Sequence, residues 1–205
     1  MRRMSLVLLL GLGGCGGVIE APPAPVALAV EPAAPFHEVA ADGKVYDLEA
    51  LKGKWVVLEW YDRSCPCSRK HYDTGNMQQL QKTYTEKGVV WLSVCSTAPG
   101  RLGYLPPKVS LQAAKAEGSL ATGLLLDVDG SMARAYGVRA TLHMFVIDPW
   151  GNIAYSGAMD DIRSMDPQAV ADAHNYVVAA LDAGLAGREI AVKRTKPYGC
   201  SVKYN

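Results

Sequence analysis

The stretch "WVVLEWYDRSCPCSRK" constrains the fold of this chain more than any other. Residues 55–61 are a nearly continuous apolar run rich in Val and aromatics, which reads as a buried strand. Pro66 follows within a few residues. Proline is favoured in the first turn of a helix, where its missing N–H has no partner to lose. A buried strand that runs into a helix start is the beginning of a layered α/β architecture. Two cysteines, Cys65 and Cys67, stand at the junction, with Arg63, Arg69, Lys70 and His71 close by.

The rest of the chain repeats the alternation. "VVWLSVC", 89–95, and "GLLLD", 123–127, read as further strands, and "HMFVIDPWGNIAYSG" reads as a β-hairpin turning at Asp148-Pro149-Trp150-Gly151. A short hairpin and turn are expected around "GKVYDLEALKGKW". Helices are predicted from Pro66 to Gly88, with a kink or break at Thr74-Gly75, over "VSLQAAKAEG", over "SMARAYG", and from Asp166 to Gly184. Strands alternating with helices predict a sheet covered on both faces. In such sheets chemistry gathers at the carboxyl ends of the parallel strands. Cys65 follows one strand and Cys95 ends the next, so both are candidates for the same edge. Trp55, Trp60 and Trp91 read as core, and Asp127-x-Asp129-Gly130 as a turn.

The N-terminus reads differently. Arg2, Arg3 and the short apolar "SLVLLLGL" have the layout of a secretory signal over residues 1–14. The run is shorter than the ~20 residues a membrane-spanning helix needs. "LGGC" resembles a bacterial lipobox, which makes Cys15 a candidate for lipidation and places the protein in the cell envelope, facing the periplasm. Residues 16–35, rich in Pro and Ala, read as a semi-extended tether. Residues 36–205 have the size of one domain. A hydrophobic content of 49% supports a core, and a formal net charge of +1 offers no basic field for nucleic acid. Of five cysteines, Cys15 aside, four remain for the domain. Disulfides persist in an exported compartment.

"LEWYDRSCP" with "RKHY", "NMQQLQKTYTEKGVVWLSV", "STAPG", "RAYGV", "HMFVIDPWG" and "TKPYGCSVKY" together resemble the exported redoxins. That group is related to alkyl hydroperoxide reductase/thiol-specific antioxidant proteins. The resemblance implies a thioredoxin-like fold with a central mixed sheet, a thiol-dependent oxidoreductase, a disulfide-bearing protein or a peroxide as partner, and no cofactor. It places Cys65 on the attacking cysteine. Ser68 stands where a second Cys of a CxxC would be, so Cys67 comes one position early. Leu142 stands where related proteins carry a cis-proline facing the active cysteine. The P-x-x-x-T-x-x-C pattern of peroxiredoxins is absent, with Leu58 and Asp62 at the Pro and Thr positions.

The residues suit thiol chemistry, because the thiolate is the attacking species and a helix N-terminus favours an anion. Arg63, Arg69 and Lys70 would add to that field if they lie close. Cys67 is either a partner in a strained Cys-Pro-Cys disulfide or inert. Cys95 is either a buried free thiol or a neighbour of Cys65. Cys200, in "KPYGCSVKY", is expected to reach Cys65 as a resolving thiol. A permanent disulfide with Cys95 and an unpaired thiol are the alternatives, and Tyr198 and Tyr204 are candidates to pin the tail. His143 reads as a metal or proton-transfer group or as a structural histidine, while His37 and His174 read as surface residues. A soft-metal site of Cys65, Cys67 and His143, suited to Cu(I), is the second functional reading. A non-catalytic interaction domain is the third. Mass spectrometry of the membrane fraction is expected to find an acylated Cys15 as the first residue of the mature protein; a free N-terminus elsewhere overturns that reading.

Overall fold

The computed structural model describes residues 31–203. The signal, Cys15, most of the tether and Tyr204 lie outside the described residues. Strands β1 (His37–Val39) and β2 (Val45–Asp47) form a small antiparallel hairpin. The central sheet contains β3 (Val56–Trp60), β4 (Val90–Cys95), β5 (Gly123–Leu126), β6 (Met144–Ile147) and β7 (Ile153–Gly157). Their order is β5-β4-β3-β6-β7. The pairs β3–β4 and β4–β5 are parallel, while β3–β6 and β6–β7 are antiparallel, so the sheet is mixed and β3 is its central strand. Residues 31–35, assigned from sequence to the tether, lie on the domain. The Ala33 N–H donates to the Gly151 carbonyl (2.9 Å), and Ile153 donates to Glu31 (2.8 Å).

All five residues of β3 are buried, because both sheet faces are covered. Val56, Leu58 and Trp60 point into one core with Phe36, Tyr46, Met132, Tyr136 and Phe145. Val57 points into the other, with Tyr72, Met77, Tyr84, Val177 and Leu181. Glu59 shares that second face and is fully buried. Four donors converge on its carboxylate: Tyr72 Oη and Trp91 Nε1 (both 2.8 Å), Ser93 Oγ (3.0 Å) and Gln81 Nε2 (3.2 Å). Burial pushes the Glu59 pKa up even though these donors pull it down. Trp55, expected in the core, is only half-buried.

The first long helix divides at the expected place. Helix α1 (Pro66–Asp73) and α2 (Asn76–Glu86) are separated by Thr74 and by Gly75, whose φ of 76° is a conformation that glycine adopts without strain. Helix α3 spans Pro107–Ala116 and α4 spans Ser131–Ala135. The predicted continuous helix from Asp166 to Gly184 is instead a single turn, α5 (Ala169–Asp172), and a separate α6 (Tyr176–Leu185). Tertiary pairing overrides the helical pattern between them. His174 and Asn175 extend against residues 159–161: Asp161 N–H donates to His174 O (3.2 Å), and Tyr176 N–H donates to Met159 O (3.0 Å). Asn175 then caps α6 by accepting from Val178 N–H (3.0 Å).

Glu59→Ala is expected to destabilise the domain by about 3 kcal/mol or more, because it leaves several buried donors without an acceptor. Urea unfolding checks this; a change below about 1 kcal/mol would mean that water replaces the carboxylate at no cost.

Candidate active site

Cys65 is the N-cap residue of α1, with extended backbone angles (φ −83°, ψ 121°), and Pro66 opens the helix behind it. Its carbonyl accepts from Arg69 N–H (2.9 Å), and its own N–H donates to Asp62 O (3.0 Å). The junction is therefore held by its backbone, which leaves the sulfur free for other partners. The sulfur is fully buried. What covers it is the C-terminal segment.

That segment runs as a strap across the carboxyl end of β3. It leaves the edge of β7, where Thr195 N–H donates to Ser156 O (3.1 Å). It ends beyond β4, where Ala98 N–H donates to Lys203 O (3.1 Å). Between these points Thr141 N–H donates to Cys200 O (2.8 Å), and Ala140 pairs with Ser201. Gly199 is required at this crossing. A Cβ there would lie 2.0 Å from the Thr141 carbonyl oxygen, and φ is 134°. Cys200 N–H reaches Cys65 Sγ at 3.3 Å and Thr141 Oγ1 at 3.2 Å.

These contacts determine the protonation of the thiols. Burial pushes the Cys65 pKa up, but hydrogen bonds from the Cys200 side chain, the Thr141 hydroxyl and backbone amides outweigh it and hold the pKa below the ordinary thiol value. The Ser68 amide adds a smaller pull without closing a capping hydrogen bond. Cys200 moves the opposite way, through burial and then through the hydrogen bond and charge of Cys65. Cys67 is half-buried, and burial and the Cys65 charge raise its pKa. Cys65 is thus the most acidic thiol of the three, with the Cys67 and Cys200 pKa values moved upward beside it.

Arg63 and Arg69 do not supply the field expected of them. Both point their guanidinium groups to Glu117 Oε1, at 3.2 and 2.8 Å, and Arg69 also pairs with Asp73. Their charges are spent clamping α1 to the end of α3. Lys70 is buried, and its ammonium contacts Asp160 Oδ2 (3.1 Å), Tyr198 Oη (3.1 Å) and Ile162 O (3.2 Å). Cys95 stands apart, with Sγ 3.6 Å from Thr97 Oγ1 beside a small cavity lined by Tyr61, Leu124 and Leu126. All four cysteines of the described residues are free thiols.

Leu142 is the only non-glycine among the described residues with positive φ, 61°, and no cis peptide occurs among them. A left-handed residue of this kind costs roughly 1–2 kcal/mol. Its N–H donates to Trp60 O (2.7 Å), and Trp60 N–H donates to His143 O (3.1 Å), which draws the loop onto β3 and presents Thr141 to the strap. The proposed soft-metal set is not assembled. Among the described residues no group of three His, Cys, Asp or Glu side chains converges as a metal site. His143 packs on Phe145 with ring centroids 4.3 Å apart, its Nδ1 is buried without a partner, and burial lowers its pKa to about 4. Thr141 and Glu59 were not among the sequence candidates. Glu59 had a legible signal, a carboxylate inside an apolar strand; Thr141 had none, because its role depends on a strap 59 residues away.

A mixed sheet with a cysteine at the N-cap of the helix after its central strand defines a thioredoxin-like protein. Residues 30–156 match the model of the AhpC/TSA family, and the chain belongs to that family of redoxins. Cys200 and the strap lie beyond the matched residues. No match is found among curated proteins. Among solved structures, the chain is similar to an uncharacterized conserved protein from Geobacillus kaustophilus, with 24% identity, a TM-score of 0.74, and coverage of 88% of this chain and 94% of the other. A hypothetical protein from Sinorhizobium meliloti 1021 is 20% identical with a TM-score of 0.72, covering 87% and 96%. The thioredoxin domain of a thiol-disulfide oxidoreductase from Bacteroides vulgatus is 19% identical with a TM-score of 0.50, covering 71% and 97%. Identities this low establish the shared fold.

Thr141→Val removes the hydroxyl that helps lower the Cys65 pKa and keeps the side-chain shape. A donor to the thiolate lowers its pKa, so the pH midpoint for Cys65 alkylation is expected to move upward in the variant. An unchanged or lower midpoint contradicts the assignment.

Proposed function

We propose that this protein is an exported, membrane-tethered thiol-disulfide oxidoreductase in which Cys65 attacks and Cys200 resolves. The observation that carries the reading is the approach of Cys200 N–H to Cys65 Sγ at 3.3 Å, beside the one thiol of the site whose pKa is lowered. The Cys65 thiolate attacks one sulfur of a partner disulfide, and the other partner sulfur leaves as a thiol after taking up a proton. The Cys200 thiol then loses its proton and attacks the Cys65 sulfur. This breaks the mixed disulfide, releases the second partner thiol and leaves a Cys65–Cys200 disulfide, which an external dithiol reduces.

The charge coupling suits this order. While Cys65 is a thiolate, its hydrogen bond and charge help keep Cys200 protonated. Once Cys65 is in a disulfide those two causes vanish, so Cys200 becomes more acidic when it must attack. Peroxide reduction is a variant of the same site: a peroxide oxidises Cys65 to a sulfenic acid, and Cys200 displaces water from it. Cys67 is the alternative resolving thiol. The signal, the lipobox-like Cys15 and the Pro/Ala-rich tether support a lipid anchor in the bacterial cell envelope with the domain facing the periplasm.

Cys65→Ser is expected to abolish both insulin-disulfide reduction and peroxide consumption, while Cys200→Ser is expected to accumulate mixed disulfides on Cys65. Full activity in Cys65→Ser refutes the assignment. A Cys65–Cys67 bond in peptide maps of the peroxide-treated parent would transfer the resolving role to Cys67.

A further inference from the structure

The strap that covers Cys65 is not held by backbone pairing alone. Tyr198, two residues before Cys200, is 4% exposed, and its hydroxyl donates to Asp160 Oδ1 in a short hydrogen bond. Asp160, 2% exposed, also pairs with the Lys70 ammonium, which itself is 1% exposed. Lys70 Nζ lies 3.1 Å from Tyr198 Oη, so the three groups close a triangle. His71 borders it, with Nε2 3.4 Å from Asp160, and its side chain also bonds Asn76 (2.8 Å). Lys70 belongs to the same helix that begins at Cys65, five residues earlier in the chain. The far end of the strap has its own anchor: Lys203 Nζ contacts Asp62 Oδ2 (2.8 Å) and Ser64 Oγ (2.7 Å).

The two anchors stand on either side of the reactive sulfur. A bridge of this kind has two consequences. It delivers Cys200 to Cys65, and it denies Cys65 to anything that cannot displace the strap. Nothing in the catalytic sequence proposed above needs a buried lysine, yet a buried charge is costly and persists only with full pairing.

We propose that Lys70, Asp160 and Tyr198 are positioning residues that lock the strap over Cys65, so that Cys200 is the first thiol an oxidised Cys65 meets. The inference rests on the reading of Cys200 as the resolving thiol. In a mixed disulfide, Cys200 gives up its proton and bonds to the Cys65 sulfur; the bond to the partner breaks, and the partner sulfur leaves with a proton as a thiol. The triangle takes no part in the electron flow. It sets how often the two sulfurs meet and how large a reagent can reach Cys65 before they do. The partner is consequently a disulfide that docks by lifting the strap, or an oxidant small enough to pass it.

The test uses the full chain, reduced, with Cys65 labelling by a bulky maleimide followed by peptide mass mapping. In the parent, Cys65 is expected to label much more slowly in the native chain than in the urea-unfolded chain; equal rates overturn the covering role. Tyr198→Phe keeps the ring and removes the hydroxyl, and is expected to speed native labelling of Cys65 about tenfold or more. After one equivalent of hydrogen peroxide it is expected to form the Cys65–Cys200 disulfide more slowly by a similar factor. Tyr84→Phe loses a hydroxyl–carboxylate bond to Asp182 of α6, a bond that involves no strap residue, and is expected to change neither rate. Asp160→Asn carries the same expectation as Tyr198→Phe and replaces it if that variant does not fold. Unchanged labelling and disulfide formation in a folded variant overturn the positioning role and leave Cys200 as the resolving thiol. Failure of the parent to form a Cys65–Cys200 disulfide overturns the resolving role instead, and the labelling rates still decide whether the strap covers the sulfur.

Discussion

The burial of the Lys70 ammonium is the constraint on which the site geometry depends. A lysine removed from water needs a counter-charge and further hydrogen-bond partners, and here Asp160, Tyr198 and the Ile162 carbonyl provide them. Those partners come from the segment after β7 and from the C-terminal strap. Helix α1 therefore cannot bury its inner face without bringing the chain terminus onto it. Ion pairs of this kind add little net stability compared with an apolar replacement, but removing one partner is costly. Their effect is to select one arrangement, and in this arrangement Cys200 crosses directly over Cys65.

A buried acidic side chain organises the platform beneath. Glu59, near the carboxyl end of the central strand, draws Tyr72 of α1, Gln81 of α2, and Trp91 and Ser93 of β4 onto one carboxyl group. This ties the two helices that follow the cysteines to the two strands that precede and flank them. On the opposite side of α1, Glu117 collects Arg63, Arg69 and the Tyr61 hydroxyl. Arg63, Arg69, Lys70 and Lys203 are thus each paired with a carboxylate. The sulfur is activated by neutral donors, chiefly Thr141 and Cys200. Such donors are tied to geometry: the Cys200 donors act only when the strap is in place, while Thr141 acts from the loop before β6.

Much of this was legible from local patterns. The apolar runs of β3 and β4, the proline at the start of α1, the break at Gly75 and the turn at Asp148–Gly151 all depend on residues close in sequence. So does the placement of Cys65 at a helix terminus. The single helix expected from Asp166 to Gly184 failed because residues 174–176 pair with residues 159–161, and the resulting hydrogen bonds outweigh a modest helical preference. The arginines were misplaced for a similar reason: their proximity to Cys65 along the chain says nothing of Glu117, which is nearly fifty residues away from Arg69. Leu142 was recognised as a departure, but its left-handed backbone and the role this gives Thr141 are properties of a folded loop.

The sequence by itself determined the alternation of strand and helix and the position of Cys65 at a helix start, because hydrophobic periodicity and proline stereochemistry act within a few residues. It also marked Cys200 as a candidate partner for Cys65. Only the tertiary structure decided which thiol faces which and which donors lower the Cys65 pKa. It also decided that the Cys65 sulfur is covered. Each of these depends on groups brought together across long chain separations, Lys70 with Tyr198 and Cys65 with Cys200. Contacts of that kind arise from the requirement that buried charges and buried amides find partners, and that requirement is met only when the whole chain is folded.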